Sequence, residues 1–302
     1  MLLFQRIEET AHQHTDARKA IGDFILNEKS RLKEYSMQEI ADRTYTSKST
    51  LVRFAKILGF SGWKEFIQAF LEEMHYEETH YSDIDPNIPF TEHDTIKDIV
   101  YKICNLQIES LLDTADQLDM RQIEKAIEII MKSGRIAVFG QAPNLYVGNL
   151  FKRRMYAIGL PVIMSSSNQG LLAHTLKSKD CAIILSYSGN NPSRIPLRCI
   201  PVLKENQVSI IAVTGAGESY LRENADCVLS MSSRERLYSK ISTFATEESM
   251  AYILNVLYSC YFTKEYRKNM DYKMNVSRQL EKQDRYSLYT NMREEADFHI
   301  ED

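Results

Sequence analysis

The chain has 302 residues, of which 44% are hydrophobic and 26% charged, and its formal net charge is −4. This length allows two domains or one large one, and the composition predicts globular packing. The charge excludes a protein that is basic overall but is compatible with a local basic patch. A run of ~18 or more apolar residues and a signal-peptide pattern are both absent, so we expect no membrane span.

Cysteine usage indicates the compartment and excludes some kinds of site. The five cysteines are scattered and form no C-x-x-C pair. This pattern fits a reducing cytoplasm and argues against a disulfide framework or a zinc site. We therefore expect a cytoplasmic protein with no metal site.

Residues 1–76 predict an all-α domain that contains a helix-turn-helix. Within 36–60, apolar residues at short helical spacing define one helix, and Thr44-Tyr45-Thr46 breaks it. Ser47 is a good N-cap for a second helix, which Gly59 ends. Two short helices joined by a tight turn are typical of DNA-binding proteins.

The exposed side of the second helix predicts a DNA-contacting surface. Between Arg43 and Lys64 there are five basic residues and no acidic one. Basic side chains can neutralise phosphates while short polar ones reach base edges. The candidates are Arg43, Ser47, Lys48, Ser49, Thr50, Arg53 and Lys56. The alternative is an ordinary helical hairpin with a solvated basic face.

Residues 77–94 are predicted to be an acidic linker between domains. The stretch 72–94 carries eight acidic residues and no lysine or arginine, and it contains Pro86 and Pro89. Charge of one sign together with proline favours an extended, solvated segment.

Residues 95–265 predict an α/β domain with a five-stranded parallel sheet flanked by helices. Two amphipathic helices, over 95–118 and 121–132, are followed by short apolar strands at 135–139, 160–164, 181–185, 208–213 and 227–231. The helices between the strands are predicted at 144–158, 168–177, 192–206 and 217–224, and a long one at 240–264. We expect the polar tail, 266–302, to be loosely ordered or to add a peripheral helix.

Two polar loops follow strands of this sheet and predict a phosphate-binding site. We call Gly140–Asn144 the β1 loop and Ser186–Asn191 the β3 loop. Open α/β sheets bind ligands at the carboxyl ends of their strands, and hydroxyls, a glycine and a helix start favour a phosphate. Because G-x-G-x-x-G and the P-loop pattern are absent, we expect neither NAD nor ATP as a cofactor. The alternative is a serine-rich turn that only closes a strand.

Two segments carry a resemblance to a known family. The run T-S-K-S-T-L-V-R-F-A-K-I-L-G-F-S-G-W-K-E-F, 46–66, resembles the recognition helix of RpiR-type bacterial regulators. The S-x-S-G of the β3 loop, with I-I-A-V-T-G at 210–215, resembles the sugar isomerase (SIS) domain. The resemblance implies a regulator that binds an operator in double-stranded DNA as a homodimer or dimer of dimers, and senses a phosphosugar. Helices 95–118 and 240–264 are the candidate dimer surfaces.

The same resemblance implies roles for individual loop residues. Phosphate-loop candidates are Ser186, Ser188 and Asn191, with Tyr187 and Gly189 beside them, whereas Gly140, Gln141 and Asn144 would meet the sugar. The β1 loop departs from the family, because Ala142 and Asn144 stand where a second glycine and a serine are common.

Glu247 raises the question of catalysis. In isomerase members of the SIS superfamily a glutamate from a late helix can act as base, and Glu247 or Glu248 could reach the pocket from such a place. Glu247 is therefore also a ligand-binding candidate. A capping or surface carboxylate is the more ordinary interpretation of a glutamate at a helix start. We therefore expect a regulator and not an enzyme. The alternatives are a phosphosugar isomerase with an attached helical domain, and a binding module that has lost its sugar site.

Overall fold

The computed structural model describes residues 3–13, 16–80 and 84–284. The N-terminal domain is entirely helical, as predicted. Its elements are α1 (Leu3–His12), α2 (Ala17–Glu28), a 3-10 helix (Lys29–Glu34), α3 (Met37–Arg43), α4 (Lys48–Ile57) and α5 (Trp63–His80).

Helices α3 and α4 form the predicted helix-turn-helix. Ser36 and Glu39 make a capping box at the start of α3, and Ser47 caps α4 by accepting from the Thr50 N–H. Gly59 lies in the left-handed region, with φ at 86°, and ends α4. A core rich in aromatic side chains holds the five helices together, including Phe54, Phe66 and Phe70, all fully buried.

The second domain contains a five-stranded parallel sheet in the order β2-β1-β3-β4-β5, which confirms the predicted fold class. Its strands are β1 (Ile136–Gly140), β2 (Val162–Met164), β3 (Cys181–Leu185), β4 (Ser209–Gly215) and β5 (Cys227–Met231). The helices are α6 (Ile96–Gln117), α7 (Met120–Lys132), α8 (Asn144–Tyr156), α9 (Gln169–Thr175), α10 (Ile200–Glu205), α11 (Tyr220–Asn224), α12 (Phe244–Lys264) and α13 (Tyr266–Asp284), with a 3-10 helix at Leu197–Cys199.

Each face of the sheet is covered by its own set of helices. Along β3, Cys181, Ile183 and Leu185 belong to the core under α7, α8 and α12, whereas Ala182 and Ile184 belong to the opposite core. Successive residues of a strand face opposite sides, so a central strand buried on both sides is apolar throughout. The carboxyl ends of β1 and β3 therefore lie side by side, with Gly140 paired to Leu185.

Some predicted boundaries were wrong. The helix predicted over 192–206 begins only at 197, because Pro192 and Pro196 lack the N–H that a helix interior needs. The strand predicted from 160 begins at Val162, directly after Pro161. The tail adds the peripheral helix α13, whereas residues 285–302 lie outside the described ranges.

The predicted linker is partly structured. Helix α5 continues to His80, so the first linker residues extend a helix. Farther along, the buried Asn87 accepts from the Arg236 N–H at 2.6 Å through its side chain and from the Ile241 N–H at 2.9 Å through its carbonyl. The linker is thus anchored to the segment that precedes α12. Across the described ranges, no helix combines the length and apolar character that a bilayer span requires.

Candidate functional site

Helix α4 presents a polar, basic surface that its own buried face positions. Leu51, Phe54 and Ala55 anchor it in the core of the N-terminal domain. In its first turn the Ser47 Oγ lies 2.8 Å from the Ser49 Oγ and 2.9 Å from the Thr50 Oγ1. These hydroxyls form one cluster at the helix N-terminus, where unpaired N–H groups favour an anion such as a DNA phosphate.

The basic candidates of the DNA-contacting surface are exposed, but one of them has a partner within the domain. Lys48, Arg53 and Lys56 are exposed on α4. The Arg43 guanidinium, at the end of α3, lies 4.8 Å from the centre of the Tyr35 ring, a cation–π contact that holds it against the residue before the cap of α3.

Sequence reasoning missed Tyr45 in the turn between the two helices. Its side chain is 97% exposed, and its φ of 53° puts it in the left-handed region. An exposed aromatic ring beside the basic helix can contact a nucleic-acid backbone. An aromatic residue between two threonines in a polar turn was the available signal.

The β3 loop is folded tightly against the end of β4 and the start of α11. Gly189 has a φ of 64°, and a Cβ there would lie 2.8 Å from the Ser219 Oγ, so only glycine fits. The Leu221 N–H donates to the Gly189 carbonyl at 2.9 Å, and the Gly189 N–H donates to the Ser186 Oγ at 3.3 Å. The Asn191 Oδ1 accepts from the Ser193 N–H at 3.0 Å. The loop is therefore a preformed turn, with Ser186 and Ser188 half-buried on it.

Tyr187 connects the β3 loop to the segment before α12. Its hydroxyl donates to the Ser233 carbonyl at 2.7 Å and accepts from the Gln5 amide. Burial raises the pKa of Tyr187, so the phenol stays neutral. The hydroxyl is thus engaged within the protein, and so is the Tyr187 carbonyl, which accepts from the Gly215 N–H at 2.9 Å.

The β1 loop lies beside the β3 loop and is held by a glutamine that sequence reasoning missed. The buried Gln169 clamps the main chain of Gly140: its Oε1 accepts from the Gly140 N–H at 3.1 Å, and its Nε2 donates to the Gly140 carbonyl at 2.5 Å. The Asn144 amide donates to the Leu185 carbonyl at 3.4 Å, and Gln141 is exposed. In the sequence, the only indication of this contact was the polar S-N-Q-G run after β2.

Glu247 lies in the first turn of α12, where the Thr243 hydroxyl donates to its carboxylate. A second carboxylate, missed from the sequence, caps this helix. The fully buried Glu235 accepts from the Ala245 N–H and from the Thr246 Oγ, both at 2.6 Å. Burial raises the pKa of Glu235, which these hydrogen bonds partly offset. The α12 N-terminus is therefore satisfied from inside the protein.

Two regions of the chain match known families. Residues 1–76 match the helix-turn-helix domain of the rpiR family, and residues 129–255 match the SIS domain. The chain combines an rpiR-family helix-turn-helix with a SIS domain. Helix α4 lies within the first match, and the β1 and β3 loops lie within the second. The chain is thus a DNA-binding regulator with a sugar-phosphate-binding SIS domain.

Individual relatives extend over most of the chain. An uncharacterized HTH-type transcriptional regulator of Haemophilus influenzae is 28% identical over 250 residues, which are 81% of this chain and 84% of that protein. The fold is similar to that of Vibrio vulnificus NanR complexed with ManNAc-6P, with a TM-score of 0.57, 18% identity and coverage of 92% of this chain and 97% of the other. It is also similar to the sugar isomerase domain of an RpiR transcription factor from Sphaerobacter thermophilus, with a TM-score of 0.53, 20% identity and coverage of 60% and 98%.

Proposed function

We propose that this chain is a dimeric transcriptional regulator of sugar metabolism that binds an operator through α4 and a phosphosugar effector through the β1 and β3 loops. The observation that carries the proposal is the presence, in one chain, of a capped basic helix and of two adjacent polar loops at the carboxyl ends of parallel strands. We expect it to work in the cytoplasm, where its operator lies.

On the DNA side, the proposal assigns two kinds of contact to α4. Lys48, Arg53 and Lys56 would neutralise backbone phosphates, because they are exposed and share one helix. Ser49 and Thr50, in the first turn, would reach base edges, as the N-terminal residues of recognition helices do. Arg43 and Ser47 would support the surface through Tyr35 and the helix cap.

On the ligand side, the proposal assigns the phosphate to the β3 loop and the sugar to the β1 loop. Ser186, Ser188 and Asn191 offer hydroxyl and amide groups next to the tight turn at Gly189. Gly140, Gln141 and Asn144 stand across from them, since Gly140 pairs with the last residue of β3. The complex of NanR with ManNAc-6P supports a phosphosugar as the ligand class.

Helix α6 supports the dimer. Its outer surface exposes large apolar side chains at four-residue spacing: Ile96 is 83% exposed, Val100 66%, Ile108 47% and Leu112 62%. Such a ridge suits packing against the same ridge of a second copy, which a two-fold DNA site requires. Helix α12 is the weaker candidate, because it already packs against α6 and α8.

We propose that the chain binds its effector without turning it over. The Glu247 carboxylate is engaged by Thr243, and Glu248 is exposed at a helix start, so neither is set apart as a free base. An isomerase would convert phosphosugars and would lose that activity in Glu247→Gln.

Two measurements on the full chain test the proposal. Fluorescence anisotropy should show tighter binding to promoter fragments from neighbouring sugar genes than to scrambled DNA at fixed salt. Calorimetric titration with a phosphosugar panel that includes ManNAc-6P should identify a ligand that changes this DNA affinity. Equal affinity for all DNA, or phosphosugar turnover, would contradict the proposal.

A further inference from the structure

Helix α1 is built into the DNA-binding domain through one of its faces. Ile7 and Ala11 are buried there, and the N–H groups of Leu3 and Phe4 donate to Glu73 at 2.9 and 3.1 Å. The Arg6 guanidinium donates to the Leu58 carbonyl at the end of α4. A displacement of α1 would therefore change the contacts at the C-terminal end of the recognition helix α4.

The opposite face of α1 contacts the SIS domain. It consists of Gln5, Glu8, Glu9 and His12, whose spacing places them on one side of a helix. Gln5 is buried, and its amide donates to the carbonyls of Ser233 and Glu235, both at 3.0 Å.

The rest of this face also contacts the SIS domain. The Glu8 carboxylate accepts from the N–H groups of Leu237 and Ser239, the latter at 2.9 Å. The His12 ring stacks on Tyr238, with ring centres 3.9 Å apart. One helix thus bridges the DNA-binding domain and the segment that precedes α12.

Two contacts of this face reach the β3 loop itself. The Gln5 amide donates to the Tyr187 hydroxyl, and the Asn190 amide donates to the Glu9 Oε2 at 3.3 Å. Asn190 lies between Gly189 and Asn191, in the middle of the turn that we assign to the phosphate. A carboxylate of the DNA-binding domain therefore lies against this loop.

A phosphate in the loop and the Glu9 carboxylate would repel each other. A phosphomonoester carries about −1.5 to −2 charges at pH 7, and like charges at a partly buried site disfavour one another. Burial raises the pKa of Glu9, so its charge already lies in an unfavourable place. Two cations lie within electrostatic reach of this face, Arg194 near Tyr238 and Lys240 near Glu8.

We propose, on the basis of the function proposed above, that the Gln5–Glu9 face of α1 is the element that couples the effector site to the recognition helix. The ligand's phosphate competes with Glu9 at the Asn190 end of the β3 loop, so phosphosugar binding weakens the docking of α1 on the SIS domain. A ligand shifts such an equilibrium only by its differential affinity for the two arrangements, and here repulsion from Glu9 supplies the difference.

The test uses the full chain, ManNAc-6P and the other phosphosugars of the panel, and Glu9→Gln. The amide keeps the size of the side chain and removes the charge. Phosphosugar affinity should rise about fivefold or more, the lower end of ordinary coupling between sites. In the wild type, hydrogen exchange of the α1 amides should speed up on saturation with the sugar, and Glu9→Gln should reduce that change. Glu124→Gln on α7 is the matched control, because Glu124 is exposed and far from α1 along the fold.

A second variant, Gln5→Ala, tests docking without any ligand. Loss of the contacts to Tyr187 and Ser233 should raise α1 exchange in the free protein toward the level of the liganded wild type. Weaker phosphosugar binding by Glu9→Gln, or binding that leaves α1 exchange unchanged, would overturn the inference and leave the proposed function standing. If no phosphosugar binds the wild type, the proposed effector role and the coupling fail together, and inorganic phosphate alone serves as the last probe of the loop.

Discussion

The recognition helix α4 and the β3 loop hold their polar groups in different ways. The basic side chains of α4 project into solvent, and the apolar face of the same ten-residue helix fixes their place. The β3 loop is instead held by the end of β4, by α11 and, through Asn190, by α1. The exposed side chains of a single helix can be predicted from the local spacing of its residues. The conformation of a loop that three distant segments hold depends on the whole fold and cannot be predicted in this way.

The largest expected effect comes from removing the anchor of α4. Phe54→Ala should cost about 3–5 kcal/mol of unfolding free energy, because the ring is fully buried against Phe66. The fluorescence emission of Trp63, the single tryptophan, reports on the folding of this domain, since the ring centres of Trp63 and Phe66 are 5.2 Å apart. DNA binding should be lost while phosphosugar binding is kept. Unchanged Trp63 unfolding would show that α4 does not depend on this core.

This contrast explains which parts of the molecule were predictable. Ser47 as a cap, and Leu51 with Ala55 as an inward face, are signals within one turn or two of α4, and the structure has them as predicted. All five strands were predicted, with ends that differ by up to two residues, and β3 was predicted at its observed bounds because a buried central strand is apolar at every position.

The supports of the loops were not predictable by the same reasoning. Gln169 is 29 residues from Gly140, and Asn190 is 181 residues from Glu9, so neither hydrogen bond leaves a local pattern. Glu235 caps α12 from ten residues upstream of Ala245, outside the first turn where a capping residue is sought. Glutamine, asparagine and glutamate are common in any sequence. Their structural role can be assigned only when the distant groups that they contact are known.

A substitution in the β3 loop should produce the reverse pattern to Phe54→Ala. Gly189→Ala places a methyl group 2.8 Å from the Ser219 Oγ at a φ of 64°, which costs about 1–3 kcal/mol of strain. Calorimetry should therefore show phosphosugar affinity reduced about 10- to 100-fold, because the turn must open. Gly170→Ala is the control, since a Cβ there meets nothing within 4 Å. Equal effects of the two variants would contradict a preformed loop.

The amino ends of the strands offer a way to change stability without touching either site. Burial acts to raise the pKa of Asp180, but hydrogen bonds from Arg135, the shortest 2.6 Å, and from the Lys177 N–H outweigh it, so the pKa is lowered. A lowered carboxyl pKa gives stability that is present above the ordinary value of about 3.9 and lost as the pH falls through the folded value.

Asp180→Asn should therefore cost about 1–2 kcal/mol of unfolding free energy at pH 7. The difference from the wild type, measured by denaturant unfolding, should shrink as the pH falls below about 4. Phosphosugar and DNA affinities should stay as they are, because this pair lies at the edge of the sheet opposite the loops. If the difference in unfolding free energy between the wild type and Asp180→Asn did not change with pH, the Arg135–Asp180 ion pair would contribute no charge-dependent stability.

The smallest expected effect tests whether the exposed basic side chains of α4 bind DNA phosphates. Lys48→Ala removes one exposed cation from the start of α4 and leaves the Ser47 cap in place. Each phosphate contact contributes about 0.9 to the slope of log affinity against log salt, so the slope should fall by about that amount with little change in sequence preference. Lys132→Ala, an exposed lysine of α7, is the control. If the slope stayed the same while selectivity between DNA sequences fell, Lys48 would contact a base and not a phosphate. The exposed side of α4 would then recognise DNA sequence through a basic residue.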